Sequence, residues 1–121
     1  MEISLEAKVN IYTEWLLERK AENVLAIDVR EKCSFTEFII VCTGTSIIHN
    51  KAIADYILDK SYQNKIQVLG KEGAEALTWI LIDLNDLIIH IFTEETLNMY
   101  NLEDLWTKKN INQDNNYENK R

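Results

Sequence analysis

Two short apolar runs in the last third of the chain, Trp79–Asp83 and Leu87–Phe92, are separated by a brief polar link. Each run is rich in isoleucine, and the link is too short for a helix, so the pattern predicts an antiparallel hairpin. Asn85 in the link tolerates the left-handed backbone that a tight turn needs. Because neither run alternates clearly with polar residues, we expect the hairpin to lie centrally in a sheet covered on both faces.

The segments on either side of the hairpin alternate between helical and strand-like spacing of apolar residues. The predicted helices are residues 2–21, the segment from Ser46 to about Ser61, Glu94–Met99 and Asn101–Lys108; the predicted strands before the hairpin are Val24–Val29, Phe35–Cys42 and Lys65–Leu69. Gly70–Thr78 contains two glycines and is expected to be a mobile loop. The helix between Cys42 and Lys65 can form a right-handed crossover between parallel strands.

This order of elements predicts a single α/β domain with a mixed five-stranded sheet flanked by helices. The domain is expected to span residues 1–109. Residues 110–121 have almost no apolar content, which predicts a disordered polar tail.

The amino-acid composition limits the classes of function that this chain could have. The chain has 20 acidic and 13 basic residues and a net charge of −7, so it lacks the basic surface of a sequence-specific nucleic-acid binder. An acidic surface suits a basic protein partner, although on charge alone a role in solubility is favoured. No apolar run approaches the roughly 20 residues of a membrane helix. Without a signal peptide, and with two cysteines that are not spaced as CxxC, a cytoplasmic protein with reduced thiols is expected.

The sequence contains few candidates for a catalytic or ligand-binding site. The turn Gly44–Ser46 precedes a helix and could bind phosphate, but plain helix capping is favoured because no known phosphate-loop pattern is present. A nucleotidyltransferase-like enzyme using this turn with Asp83 and Asp86 is the alternative function. That chemistry needs a strand Asp-x-Asp to hold magnesium, which the chain lacks. We therefore expect no enzymatic activity, no metal and no cofactor, and a structural, hydrogen-bonded role for His90.

Several motifs taken together resemble the ribosomal silencing factor family, also called Iojap-like. The matching residues are Glu72, Gly73, Trp79, Asp83, Asp86, His90, Phe92, Tyr100, Leu102, Glu103, Leu105 and Trp106, and upstream Asp28, Gly44, Thr45, Ser46, His49, Ala52, Ile53, Ala54 and Asp55. The resemblance covers roughly residues 5–108, and the order and spacing of the motifs make it specific.

The chain departs from the family pattern at four positions. Thr43 replaces a Ser, Asn85 replaces the turn Gly, and Ile48 and Leu97 stand where the family usually has Arg. Asn is a suitable replacement for a turn Gly because it tolerates the left-handed region. The fold is expected to be unaffected by the loss of these two basic positions.

The resemblance implies a fold similar to nucleotidyltransferases without their activity. It also implies binding to the large ribosomal subunit through its fourteenth ribosomal protein. This blocks association with the small subunit and represses translation when nutrients run short. Free members of the family are often homodimers.

The resemblance also supplies the candidate contacts with the ribosomal protein. These residues are Trp79, Asp55, Asp83, Asp86, Tyr100 and Trp106. The large aromatic residues among them have a simpler interpretation as core, but Trp and Tyr are also enriched in interfaces. Trp79 is the first choice, because it begins a strand beside a glycine-containing loop and is expected to be partly exposed.

Overall fold

The computed structural model describes residues 3–73 and 76–107, with the side chains of Trp106 and Thr107 left out of the description. The helices and strands of this part are α1 (Leu5–Glu18), β1 (Glu22–Asp28), β2 (Phe38–Gly44), α2 (Ile47–Gln63), β3 (Gly70–Glu72), β4 (Trp79–Asp83), β5 (Leu87–Thr93), α3 (Glu94–Asn98) and α4 (Asp104–Thr107). None of the helices in these residues is long and apolar enough to span a membrane.

The strands form one mixed sheet in the order β1-β2-β5-β4-β3. β1 is antiparallel to β2, β2 is parallel to β5, and β4 is antiparallel to both of its neighbours. The predicted hairpin is confirmed: β4 and β5 pair directly, and Asn85 in the turn has a φ of 79°. β5 is the central strand and is buried from Leu87 to Phe92, as its apolar sequence predicts.

α1 and α2 pack on one face of the sheet. Serine side chains cap both helices: Ser4 accepts a hydrogen bond from the amide of Ala7, and Ser46 accepts one from the amide of His49. The helices and the sheet bury a largely aliphatic helix-covered layer: Val9, Tyr12, Leu16, Ala21, Ile40, Cys42, Ile53, Ala54, Ile57, Ile80, Ile82, Leu84, Leu87, Ile89 and Ile91. The cap at Ser46 confirms the favoured interpretation of the Gly44–Ser46 turn.

The opposite face is covered by much shorter elements. Its buried residues, which we call the aromatic layer, are Val29, Ile39, Val41, Trp79, Ile88, Phe92 and Leu105, with Tyr100 and Leu97 partly buried against them. Leu97, at a position where the resemblance implies Arg, adds apolar contact to this layer. The sheet is therefore covered on both faces, as the sequence predicts.

The prediction of a third strand at Lys65–Leu69 is wrong. Residues 66–69 have no regular secondary structure, and β3 is Gly70–Glu72, within the segment expected to be a loop. The alternation that suggested a strand reflects Ile66 and Val68 packing against the helix-covered layer. The ladder forms only where β4 is available as a partner, from Gly70 opposite Asp83 to Glu72 opposite Leu81.

Other boundaries shift by a few residues. α1 is shorter than the predicted 2–21, α2 continues two residues beyond Ser61, and α4 begins at Asp104 rather than Asn101. β2 begins at Phe38 rather than Phe35, because residues 30–37 form an irregular connection from β1. The predicted tail, residues 110–121, lies outside the described residues.

Candidate functional site

The structure separates the residues that the nucleotidyltransferase alternative would use together. β2 and β5 pair in parallel from Phe38 beside Leu87 to Gly44 beside Thr93. The Gly44–Ser46 turn therefore follows one end of the sheet, and Asp86 precedes the other end. Six residue steps separate these ends, or about 20 Å at the usual rise of a strand. Among the described residues, no group of three or more His, Cys, Asp or Glu side chains could hold a metal ion.

His49 joins the start of α2 to the end of α1. Its Nδ1 accepts a hydrogen bond from the amide of Thr45 at 2.9 Å, and its Nε2 lies 2.7 Å from the carbonyl oxygen of Arg19. These partners assign the proton to Nε2, which donates to that carbonyl. The residue has the geometry of a structural link between two helices.

Asn50 is a structurally important residue that the sequence analysis did not single out. It is fully buried on α2, and its Nδ2 donates to the carbonyl of Leu77 at 2.8 Å, just before β4. A β-carbon at Gly44 would lie 2.1 Å from Oδ1 of Asn50, so only glycine allows this close approach. The Oδ1 atom has no hydrogen-bond partner among the described residues. The signal in the sequence was a polar residue beside the buried stripe of α2.

The expectation that Trp79 is partly exposed is wrong. Its side chain is 7% exposed, and its Nε1 donates a hydrogen bond to Nδ1 of His90 at 2.9 Å. The indole ring lies 4.8 Å from the ring of Phe92 and 4.6 Å from that of Tyr100, measured between centroids. Trp79 is buried because it faces the aromatic layer, which α3 and α4 cover. In this conformation a partner can contact only a small part of the indole.

His90 is the structural, hydrogen-bonded histidine that the sequence predicts. It is 2% exposed on the central strand, and burial lowers its pKa to about 3. The ring is therefore neutral at physiological pH. Because Nδ1 accepts from Trp79, the ring proton lies on Nε2.

Tyr100 is the partly exposed aromatic residue among the candidates whose side chains are described. It is half-buried, and its ring rests against Trp79 and, at 6.4 Å, against Phe92. Trp106 lies on α4, and its side chain is outside the described part of the chain. Leu105, its neighbour, is buried in the aromatic layer and anchors α4 there.

The two aspartates of the hairpin lie at the other end of β4. Asp83 accepts a hydrogen bond from the amide of Asn85 at 2.8 Å, which stabilises the turn. Asp86 forms an ion pair with Lys8 at 2.7 Å, and the same Lys8 ammonium donates to the carbonyl of Leu84 at 3.1 Å. Both carboxylates remain partly exposed. The turn is thus fastened to α1 while its acidic groups stay accessible.

Asp55 occupies a third location. It is exposed on α2 and pairs with Lys51 one turn earlier, at 2.8 Å. α2 covers the face of the sheet opposite to Trp79 and Tyr100. The structure therefore does not bring the six candidates to one place: they divide among α2, the hairpin turn and the aromatic layer with α4. Trp79 and Asp83, at the two ends of β4, are about 13 Å apart along the strand.

Asp28, one of the residues that match the family pattern, ends β1. It accepts a hydrogen bond from the amide of Arg30 at 3.0 Å and pairs with the Arg30 guanidinium at 2.6 Å. The hydrogen bonds from Arg30 lower the pKa of this carboxyl to about 2. Its contacts are local, which is the geometry of a turn and not of a catalytic acid.

Comparisons with known proteins agree with the resemblance in the sequence. A family model described as "Ribosomal silencing factor during starvation" matches residues 2–121. The chain is 36% identical to the ribosomal silencing factor of Bacillus subtilis over 89 residues, which cover 74% of this chain and 75% of that protein. It is also 36% identical to that of Haemophilus influenzae over 100 residues, covering 83% and 98%.

A more distant relative is the mouse protein named "Mitochondrial assembly of ribosomal large subunit protein 1". It is 25% identical over 112 residues, covering 90% of this chain and 49% of the mouse protein.

Two crystal structures share the fold. One, of a Chromobacterium violaceum protein, superposes with a TM-score of 0.81 at 25% identity, covering 88% of this chain and 89% of that one. Another, from Bacillus halodurans, gives a TM-score of 0.76 at 30% identity, covering 84% and 94%. The family match over nearly the whole chain, the identities above 30% and the shared fold lead to one conclusion: this chain belongs to the ribosomal silencing factor family.

Proposed function

We propose that this protein binds the large ribosomal subunit through its fourteenth ribosomal protein. Bound there, it blocks association with the small subunit and so represses translation under nutrient limitation. The observation that carries the proposal is the family match over residues 2–121. The name of the mouse relative, which refers to assembly of the ribosomal large subunit, supports the choice of subunit.

To block the small subunit sterically, the protein needs a surface that binds the large subunit, but it does not need a catalytic group. The separation of the Gly44–Ser46 turn from Asp83 and Asp86 supports this choice over the enzymatic alternative, which would use these residues together. A net charge of −7 favours approach to a basic ribosomal protein. We place the action in the cytoplasm and, following the family, propose a homodimer for the free protein.

The geometry changes the order of importance of the candidate contacts. Tyr100 replaces Trp79 as the first choice of anchor, because its ring is partly exposed and Trp79 is buried beneath it. Asp83 and Asp86 offer accessible carboxylates at the hairpin turn. Asp55 forms an exposed ion pair with Lys51. Exposed ion pairs contribute little to stability, so the free-energy cost of replacing Lys51 by a basic side chain of the ribosomal protein is small. Trp106 stays a candidate from the resemblance.

Co-sedimentation with purified, separated ribosomal subunits tests the proposal. The wild-type protein is expected to sediment with the large subunit and not with the small one. Tyr100→Ala should weaken this binding about thirtyfold, because aromatic anchors typically contribute about 2 kcal/mol. Tyr62→Ala is the matched control, since Tyr62 is a tyrosine on α2 with 86% exposure, and it should bind like the wild type.

Sedimentation of the wild-type protein with the small subunit, or with neither subunit, would contradict the proposed function. If the wild type binds the large subunit and folded Tyr100→Ala binds equally well, the choice of anchor is wrong and the choice of partner stands.

A further inference from the structure

The position of the Tyr100 ring depends on contacts outside its own segment. α3 ends at Asn98 and α4 begins at Asp104, so Tyr100 lies in the short connection between them. Its amide donates to the carbonyl of Leu97 at 3.2 Å, which fixes the backbone but not the ring. The ring packs at 4.6 Å and an interplanar angle of 60° against Trp79. Trp79 therefore forms the surface on which the Tyr100 ring rests.

Trp79 in turn is held in one orientation by a directional contact. Packing against Phe92 at 4.8 Å restricts the indole plane, but apolar contact alone is not directional. The hydrogen bond from its Nε1 to Nδ1 of His90 supplies the direction. Among these largely apolar neighbours, such a bond fixes one arrangement because any other leaves polar atoms unpaired.

His90 is itself rigidly placed. It lies on the central strand between Ile89 and Ile91, both fully buried, and its ring is nearly parallel to that of Phe92, at 18° and 6.0 Å. With the proton on Nε2, its Nδ1 is an acceptor and faces the indole. A chain of contacts thus runs from the centre of the sheet through His90 and Trp79 to the partly exposed Tyr100.

We propose that Trp79 and His90 are positioning residues for ribosome binding: their hydrogen bond orients the indole, and the indole holds the Tyr100 ring in its binding position. This inference rests on the proposed function. It assigns to Trp79 a role that acts through Tyr100 and does not require the indole to touch the partner. It also gives a function to the buried hydrogen bond between Trp79 and His90.

A double-mutant cycle on the affinity for the large subunit tests this inference. Trp79→Phe keeps an aromatic ring and removes the indole N–H. It should weaken binding at least about fivefold when Tyr100 is present, and less than about twofold in a Tyr100→Ala background. Trp15→Phe is the matched control, since Trp15 packs on the helix-covered layer, and it should leave affinity unchanged. An equal weakening by Trp79→Phe in both backgrounds, or none in either, would overturn the inference.

The His90 side of the pair provides a second test that does not depend on the folding of Trp79→Phe. His90→Gln keeps an acceptor for the indole N–H, and His90→Leu removes it. We expect folded His90→Gln to keep the wild-type affinity and folded His90→Leu to bind at least about fivefold more weakly. This result would support the positioning role of His90. Equal affinities in the two folded variants would overturn it, because a merely structural role of the ring does not depend on an acceptor.

A measurement without ribosomes separates this inference from the proposed function. Nuclear Overhauser contacts between the Tyr100 and Trp79 rings should be strong in the wild type and in His90→Gln, and weak in His90→Leu. If the wild type fails to bind the large subunit, the proposed function fails, and these ring contacts still decide whether the pair orients Tyr100. Unchanged contacts in His90→Leu would overturn the positioning role.

Discussion

The two faces of the sheet are covered in different ways. On one face, α1 with 14 residues and α2 with 17 residues cover a largely aliphatic layer. On the other, α3 with five residues and α4 with four cover a layer that contains a buried indole–imidazole hydrogen bond. Long amphipathic helices stabilise a sheet by area alone, whereas short elements need specific contacts to be held in place. The helix-covered layer therefore supports the fold, and the aromatic layer positions groups at the surface.

The largest expected difference between the faces comes from removing apolar volume. Ile53→Ala, in α2, should lower the free energy of unfolding by about 3 kcal/mol, because a rigidly packed layer cannot close the cavity. Leu105→Ala, in α4, should lower it by only about 2 kcal/mol, because a four-residue helix can move into the space. Denaturant unfolding measures both. A cost for Leu105→Ala equal to or above that for Ile53→Ala would contradict the comparison.

A smaller effect follows from the protonation of His90. Its folded pKa of about 3 lies below the unfolded value of 6.5, so below pH 6.5 the unfolded chain binds the proton and the folded chain does not. The contribution of the neutral ring to the free energy of unfolding is therefore fully present above pH 6.5 and declines as the pH falls toward 3. Between pH 6.5 and 5, the wild type should lose about 1.5 kcal/mol relative to His90→Gln.

Denaturant unfolding of both proteins at a series of pH values checks this prediction. The two proteins differ only at residue 90, so the difference between their pH profiles reports the contribution of His90. Parallel pH profiles for wild type and His90→Gln would mean that His90 is protonated in the folded protein and that the aromatic layer admits a charge.

The smallest effect concerns the polar pair of the helix-covered layer. Ser61 donates from its Oγ to the carbonyl of Ile57 at 2.8 Å, so the buried hydroxyl of Tyr12 donates to Ser61. Tyr12→Phe removes one donor and leaves Ser61 bonded to the backbone. The expected loss in the free energy of unfolding is about 1 kcal/mol. A loss above that of Leu105→Ala, measured by the same unfolding experiment, would show that this layer too depends on a specific polar contact.

The fold was predictable where the signal is local. The hairpin, the Ser46 cap and the buried second strand follow from short-range patterns, and Asn85 in the left-handed region confirms the turn. β3 was missed because a three-residue strand is defined by its partner, and only the register with β4 shows that pairing begins at Gly70. No pattern within residues 65–72 contains that information.

The candidate site was less predictable for a related reason. A tryptophan that begins a strand beside a glycine-containing loop has no local signal for its burial, which depends on α3 and α4 folding back over it. The hydrogen bond between Trp79 and His90 joins residues 11 positions apart across two strands. The link from Asn50 to Leu77 spans 27 positions. Both contacts depend on tertiary structure, and the resemblance to a family indicates the residues without indicating which of them face outward.

Sedimentation of ribosomal subunits through a sucrose gradient tests directly whether this protein prevents the two subunits from joining. Equal amounts of small and large subunits are mixed under conditions that favour joining, with and without an excess of the protein. We expect the assembled ribosome peak to decline and the protein to migrate with the free large subunit. Tyr62→Ala should act like the wild type, and Tyr100→Ala should require a much higher concentration for the same decline. An assembled peak that stays intact in the presence of excess folded wild-type protein would show that this protein does not block subunit joining.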